Sequence, residues 1–104
     1  MLVCTTWKGR PLSPEQGQRM MNVWAKTEAR EAESGSSERL CWYLSADGTG
    51  GVTVSRVIDE AAATALQLET CLALGEFLEL ESKVVLDMET AMPSIIAGLE
   101  HNSA

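Results

Sequence analysis

The chain is short of histidine, of basic residues and of long apolar runs, and each shortage closes off a class of function. Its one histidine, His101, lies near the C-terminal end. Without a second imidazole there is no base of the familiar kind for a Ser or Cys nucleophile and no pair of imidazoles for a metal. Adjacent Glu100 does not help, because consecutive side chains of a helix do not face one another. A catalytic triad and a resident metal are therefore not expected. The three cysteines, Cys4, Cys41 and Cys71, are odd in number, far apart and outside any Cys-x-x-Cys pair, so buried free thiols are expected. Eight basic residues against 15 acidic ones leave a formal charge of −7. Phosphate neutralisation needs a basic patch, so nucleic acid is not expected as a partner. No run approaches the roughly 18 consecutive apolar residues of a membrane helix, and the opening segment has no signal-peptide pattern. The expectation is a cytoplasmic protein that does not enter membranes.

What is present describes an ordinary globular domain. With 104 residues, 45% of them apolar and 22% charged, residues 1–104 fit a single domain with a modest core. The acidic residues are dispersed over the helices and last strand, the pattern of solvated faces.

The strongest local signal is a hairpin. Leu40–Leu44 and Val52–Ile58 are rich in β-branched and aromatic residues, and Asp47-Gly48-Thr49-Gly50-Gly51 lies between them. Gly48, Gly50 and Gly51 are expected to supply positive φ for the turn and an adjoining bulge. Simple alternation puts Leu40, Trp42 and Leu44 on one face and Cys41 and Tyr43 on the other. Neither face is plainly polar, so both are expected to be covered, one by the chain's own helices and one by a partner subunit. The Gly-rich turn joins two strands instead of opening a helix, and no Lys-Ser/Thr follows it. It is therefore not a phosphate loop.

Leu2–Trp7 reads as a first strand, and Ser13-Pro14-Glu15-Gln16 as a helix start with a capping box. Met20, Val23, Trp24 and Thr27 recur at helical spacing, with charge at Arg19, Lys26, Arg30, Glu31 and Glu33, up to a stop at Gly35. Asp59 caps a second helix over Glu60–Leu74, in which Ala61, Ala65, Leu68 and Leu72 are expected on one side with Leu66 and Ala62 beside them. Phe77–Leu86 alternates as a strand, with Leu78, Leu80, Val84 and Leu86 on one side, interrupted by Ser82. Asp87–Leu99 forms a short helix or arm containing Pro93, and Glu100–Ala104 a frayed tail. The order β-α-β-β-α-β predicts an α+β, ferredoxin-like domain over residues 1–90: a four-stranded antiparallel sheet with two helices on one face. Residues 91–104 form the C-terminal helical arm and tail. The uncovered sheet face predicts a homodimer.

Three stretches, Leu2–Trp7, Trp42–Val54 with its Asp-Gly-x-Gly-Gly, and Gly75–Asp87 ending in Val84-Val85-Leu86-Asp87, together resemble a bacterial family of unknown function in the dimeric α+β barrel superfamily. Lys8–Glu33 fits the family pattern least. The resemblance implies a homodimer whose sheets pack face to face. It places the chain near cofactor-independent monooxygenases, haem-degrading enzymes, isomerases and regulatory ligand-binding domains. The haem-using branches rely on a core histidine; His101 is not one, so no haem and no other cofactor is expected.

In such a fold Trp24 and Trp42 are candidates for a small-molecule cavity, and Tyr43 and Arg56, on neighbouring strands, for a hydroxyl and a fixed positive charge. The structural alternative is that both tryptophans fill the core, Tyr43 lies at the dimer face and Arg56 pairs with a carboxylate. Two functions follow. One is a homodimeric small-molecule-binding protein, including a cofactor-independent enzyme acting on an aromatic or polyketide-like substrate. The other is an acidic module that docks on a partner protein through its sheet edge or C-terminal arm.

Overall fold

The computed structural model describes residues 1–103. The elements are β1 (Leu2–Gly9), α1 (Pro14–Ser34), β2 (Ser37–Leu44), β3 (Gly50–Val57), α2 (Glu60–Leu74), β4 (Leu78–Val85) and α3 (Met88–Asn102). The strands form one sheet in the order β2-β3-β1-β4, with every neighbouring pair antiparallel. This is the ferredoxin-like arrangement, and α1 and α2 lie together on one of its faces.

Local chemistry fixes the helix ends. The Ser13 hydroxyl accepts from the Gln16 N–H at 3.2 Å while the Ser13 N–H donates to Gln16 Oε1 at 3.1 Å, the reciprocal capping box. Such a cap is worth about 1 kcal/mol. Helix α1 stops at Gly35, whose φ of 59° is left-handed. The Asp59 carboxylate caps α2 by accepting from the Ala62 N–H at 3.1 Å. Helix α3 starts on Asp87 in the same way and runs on to Asn102. The expected fraying from Glu100 is thus replaced by helix, and Ala104 lies outside the described residues.

The hairpin turn is organised by one carboxylate. Asp47 Oδ1 accepts from the Thr49 N–H at 3.0 Å, the Thr49 hydroxyl at 2.7 Å and the Ser45 hydroxyl at 2.8 Å. These bonds, the backbone one foremost, favour the ionised form and hold its pKa down at about 2, against an ordinary value of 3.8. A depressed folded-state pKa makes this contribution to stability complete above 3.8 and progressively lost as pH falls towards 2. Thermal melts of the protein and of Asp47→Asn should therefore converge through that window. A gap in melting temperature that stays constant down to the lower limit would show that Asp47 does not hold the turn.

Only Gly48, with φ 74°, takes up positive φ in this turn. Gly50 and Gly51 were expected to do so too, and the structure gives them a different task. A Cβ on Gly51 would run into the Trp7 ring and the Tyr43 carbonyl, and one on Gly50 into the Trp7 carbonyl. They are glycines because the neighbouring strands, β1 at both and β2 at Gly51, leave no room for a side chain.

Trp7, Leu74, Phe77 and Leu78 form the buried core, with Leu12, Met20, Val23, Trp24 and Leu80 packed around it. Because Trp7 pairs with Gly51 on one side and Leu80 on the other, the core sits at the hairpin end of the sheet. Helix α2 corrects the sequence expectation. It turns Leu66, Gln67, Thr70 and Leu74 inward, and Leu68 and Leu72 are 61% and 77% exposed. Its apolar residues surround the whole helix, so periodicity could not orient it. The cysteines are free as expected, but half-buried instead of buried.

Helix α3 carries no buried residue. Its Met88, Met92, Ile95, Ile96 and Leu99 are exposed. The molecule is drawn out to 58 Å, with a radius of gyration of 16.7 Å. A compact chain of this length has roughly 13 Å. Among the described residues no helix is long and apolar enough to cross a membrane.

Candidate functional site

The antiparallel registers line up residues across the sheet. On the helix side Leu44, Gly51, Trp7 and Leu80 form one row, which belongs to the core end. The next row is Trp42, Thr53, Thr5 and Ser82, and the one after it Arg39, Ser55, Val3 and Val84. In a half-buried antiparallel sheet the inward positions ordinarily carry apolar core residues. Here four of them are hydroxyls, and the space above is hollow: an open-sided cavity of about 280 Å³ between the sheet and the two helices. That lies near the lower end of small-ligand sites, roughly 300 Å³ upward.

The hydroxyls at the β4 side are already joined. Thr5 Oγ1 and Ser82 Oγ share a hydrogen bond of 2.7 Å, and Gln67 Nε2 of α2 donates to the same Ser82 oxygen at 2.7 Å. Trp7 and Trp24 form an aromatic wall, meeting edge to face at 5.5 Å between centroids. Trp24 in turn stacks on Trp42 at 5.9 Å with planes 10° apart.

At the β2 side the cavity becomes charged, for a reason alternation does not reveal. The β2–β3 register shifts between Arg39 and Cys41, a bulge at Leu40. In an unbroken strand residues 39 and 42 would point to opposite faces; the extra residue puts both on the helix side. The Arg39 guanidinium consequently lies 4.2 Å from the Trp42 ring centroid. Helix α1 supplies its counter-charges. The stripe through Trp24 and Thr27 continues inward as Glu28 and Glu31, so the apolar face of α1 turns acidic in its last two turns. Arg39 Nη2 donates to Glu28 Oε1 at 2.7 Å and to Glu31 Oε2 at 3.4 Å. Burial, reinforced by the Glu28 charge and opposed by Arg39, raises the Glu31 carboxyl above the ordinary glutamate range.

Of the four residues singled out by sequence, the structure brings two together. Trp24 lines the cavity and Trp42 stacks against it. Tyr43 and Arg56 are on the opposite face, Tyr43 opposite Val52 and 67% exposed, Arg56 held by Glu38 at 3.1 Å. Around them that outer face carries Leu2, Cys4, Cys41, Val52, Val54 and Val85. The sequence reading missed Thr5, Thr53, Ser55, Gln67, Ser82, Glu31 and Arg39. A signal existed for Ser82, which interrupts the apolar alternation of β4 where the cavity opens. Glu31 read as a solvated charge, and the bulge at Leu40 left no mark in the pattern.

No protein family matches the chain, and no curated protein matches its sequence. Solved structures do resemble it. SnoaB of Streptomyces nogalater, described as a cofactor-independent oxygenase, superposes with a TM-score of 0.59 at 16% identity, over 84% of this chain and 92% of that one. The chain shares the ferredoxin-like fold of that structure. A conserved protein from Methanosarcina mazei gives a TM-score of 0.55 at 14% identity, over 80% of this chain and 91% of that one. A putative antibiotic biosynthesis monooxygenase from Nitrosomonas europaea gives 0.54 at 12%, over 83% and 99%. At such identities the likeness is one of backbone, which unrelated chemistries share.

Proposed function

We propose that the protein is a homodimer that binds a small planar, hydroxylated molecule in the cavity between its helices and sheet, as a cofactor-independent enzyme of the dimeric α+β barrel type. The observation that carries this reading is the floor of Thr5, Thr53, Ser55 and Ser82 where core residues belong. Trp7 and Trp24 suit the faces of an aromatic ring system, and the hydroxyls and Gln67 suit its oxygens. The naming of SnoaB as a cofactor-independent oxygenase supports the enzyme class.

The dimer is supported by surface. The chain exposes 7476 Å². A monomer of its mass is expected to expose about 5,700 Å², leaving an excess of about 1,800 Å². A standard interface takes about 800 Å² per partner.

Native mass spectrometry of protein purified from cells tests the whole reading. A dimer with reproducible extra mass is expected, and Thr53→Val with Ser82→Ala together should weaken retention about tenfold or more, at roughly 1 kcal/mol per lost hydrogen bond. Retention unaffected by that pair of substitutions, or a dimer that never carries added mass, would remove the cavity from the reading.

A second reading has its own observation. The exposed Ile95, Ile96 and Leu99 of α3 suit an acidic module that docks on another protein. Such binding should weaken with salt, since the chain carries −7. Affinity for a captured partner that is the same at low and high salt would set aside that charge-guided docking.

A further inference from the structure

We propose that Glu31 is the general base of the cavity, set in place by Arg39, and that the molecule bound there is an aromatic carrying a weakly acidic C–H or O–H bond. The inference rests on the small-molecule reading above and assigns a reaction step to the same site.

Few charges reach the cavity. Its wall is neutral almost throughout: Thr5, Trp7, Thr53 and Ser55 from β1 and β3, and Ala63, Thr64, Leu66, Gln67, Thr70 and Leu74 from α2. The charged groups among its lining residues are Glu28 and Glu31 of α1, Arg39 of β2, Lys83 of β4 and the amino-terminal Met1. Lys83 pairs with Glu81 at 3.2 Å, and both belong to the outward-facing register of β4. Arg30, the nearest basic residue of α1 in sequence, is turned to Glu69 of α2 at 3.6 Å. Glu28 and Glu31 are the carboxylates among the lining residues, so a carboxylate base comes from the Glu28–Arg39–Glu31 group.

Within that group the two carboxylates are not equivalent. Arg39 bonds Glu28 at 2.7 Å and Glu31 at 3.4 Å, so Glu28 holds the tighter ion pair and Glu31 the looser one. The looser carboxylate keeps lone pairs for a ligand. Burial and the neighbouring Glu28 charge, opposed by Arg39, also raise its pKa above the ordinary glutamate value. Arg39 is itself fixed from two sides, by its carboxylates and by the Trp42 ring that the Leu40 bulge places under it. Aromatic wall, neutral hydroxyl floor and one available carboxylate are the parts that a base-catalysed step on a planar substrate needs.

The step balances within the site. A Glu31 oxygen forms a new O–H bond with the proton of the ligand's C–H or O–H, and the electron pair of the broken bond stays on the ligand. Before transfer the group carries Glu28⁻, Arg39⁺ and Glu31⁻; afterwards Glu31 is neutral and the negative charge resides on the ligand, close to Arg39 and the floor hydroxyls. Glu31 keeps 42% of its side chain accessible, so the proton can pass to water afterwards.

The probe 5-nitrobenzisoxazole tests the assignment. Loss of its ring C–H proton to a base forms a nitrile as the N–O bond breaks and releases a coloured phenolate, with no other reactant. Quenching of tryptophan fluorescence reports its binding separately. The protein should bind it and open it with a rate that rises with pH through the Glu31 ionisation. Glu31→Gln should bind comparably and lose about 100-fold in rate. Glu28→Gln should retain the reaction but move the pH midpoint downward, because removing the Glu28 charge makes Glu31 more acidic, an effect a merely structural carboxylate would not produce. Binding with a rate that Glu31→Gln leaves unchanged, or a midpoint indifferent to Glu28→Gln, overturns the base and leaves the cavity reading standing. Absence of binding to the unaltered protein overturns both.

Discussion

Replacing Trp7 by alanine should remove about 3–5 kcal/mol of stability, the usual cost of truncating a buried tryptophan. Domains of this size hold roughly 5–15 kcal/mol in all. Trp7 is 7% exposed, packs on Leu74, Phe77 and Leu78, and meets the edge of Trp24 at 5.5 Å. Gly51 has been kept bare beneath its ring, so the collapsing site has no side chain to draw in. Trp42 is the matched control. It is 46% exposed, and its loss should cost far less while disturbing Arg39. Urea denaturation followed by circular dichroism measures both. If the two substitutions proved equally costly, the core would not be centred at the hairpin end of the sheet.

Val54→Asp should separate the two copies. Val54 pairs with Cys4 of β1 and Cys41 of β2, at the middle of the outer face that the homodimer proposal covers. In an isolated chain position 54 is half-buried, so the new carboxylate keeps part of its access to water and costs less than it does beneath a second sheet. Pressed against a second sheet it is a buried, unpaired charge, with a penalty of about 3 kcal/mol or more, which is over a hundredfold in dissociation constant. Sedimentation equilibrium should give twice the chain mass for the unaltered protein at low micromolar concentration and a single chain mass for the variant. The melting temperature of the unaltered protein should also rise with its concentration, and that of Val54→Asp should not. A concentration-independent monomer mass for the unaltered protein would end the homodimer proposal.

Much of the fold is legible in the sequence because its signals are local. The Ser13 capping box, the Asp59 cap, the Gly35 stop and the Asp47-Gly48 turn each act over four or five residues, and each appears in the structure where the chain announces it. Together with strand alternation they suffice for the ferredoxin-like order. The site is less legible because its determinants are relational. Thr5 reads as one strand residue among others until two registers place it between Thr53 and Ser82. Glu31 reads as a solvated charge until Arg39 is known to face it. The inner side of α2 could not be chosen at all, since Leu68 and Leu66 are equally apolar and only packing distinguishes them.

The bulge at Leu40 has a consequence for how such a site can change. A strand with a two-residue period has two possible phases, and the single unpaired residue switches β2 from one to the other partway along. Deleting Leu40 would leave Arg39 two positions before Trp42 in an unbroken strand, so both would keep the helix-side face and their partners Ser55 and Thr53. Drawing Leu40 into the ladder without removing it would instead put Arg39 and Trp42 on opposite faces, parting the guanidinium from the ring without any change to either side chain. The charge of the cavity thus depends on one residue of this strand staying unpaired as much as on the identity of the residues around it.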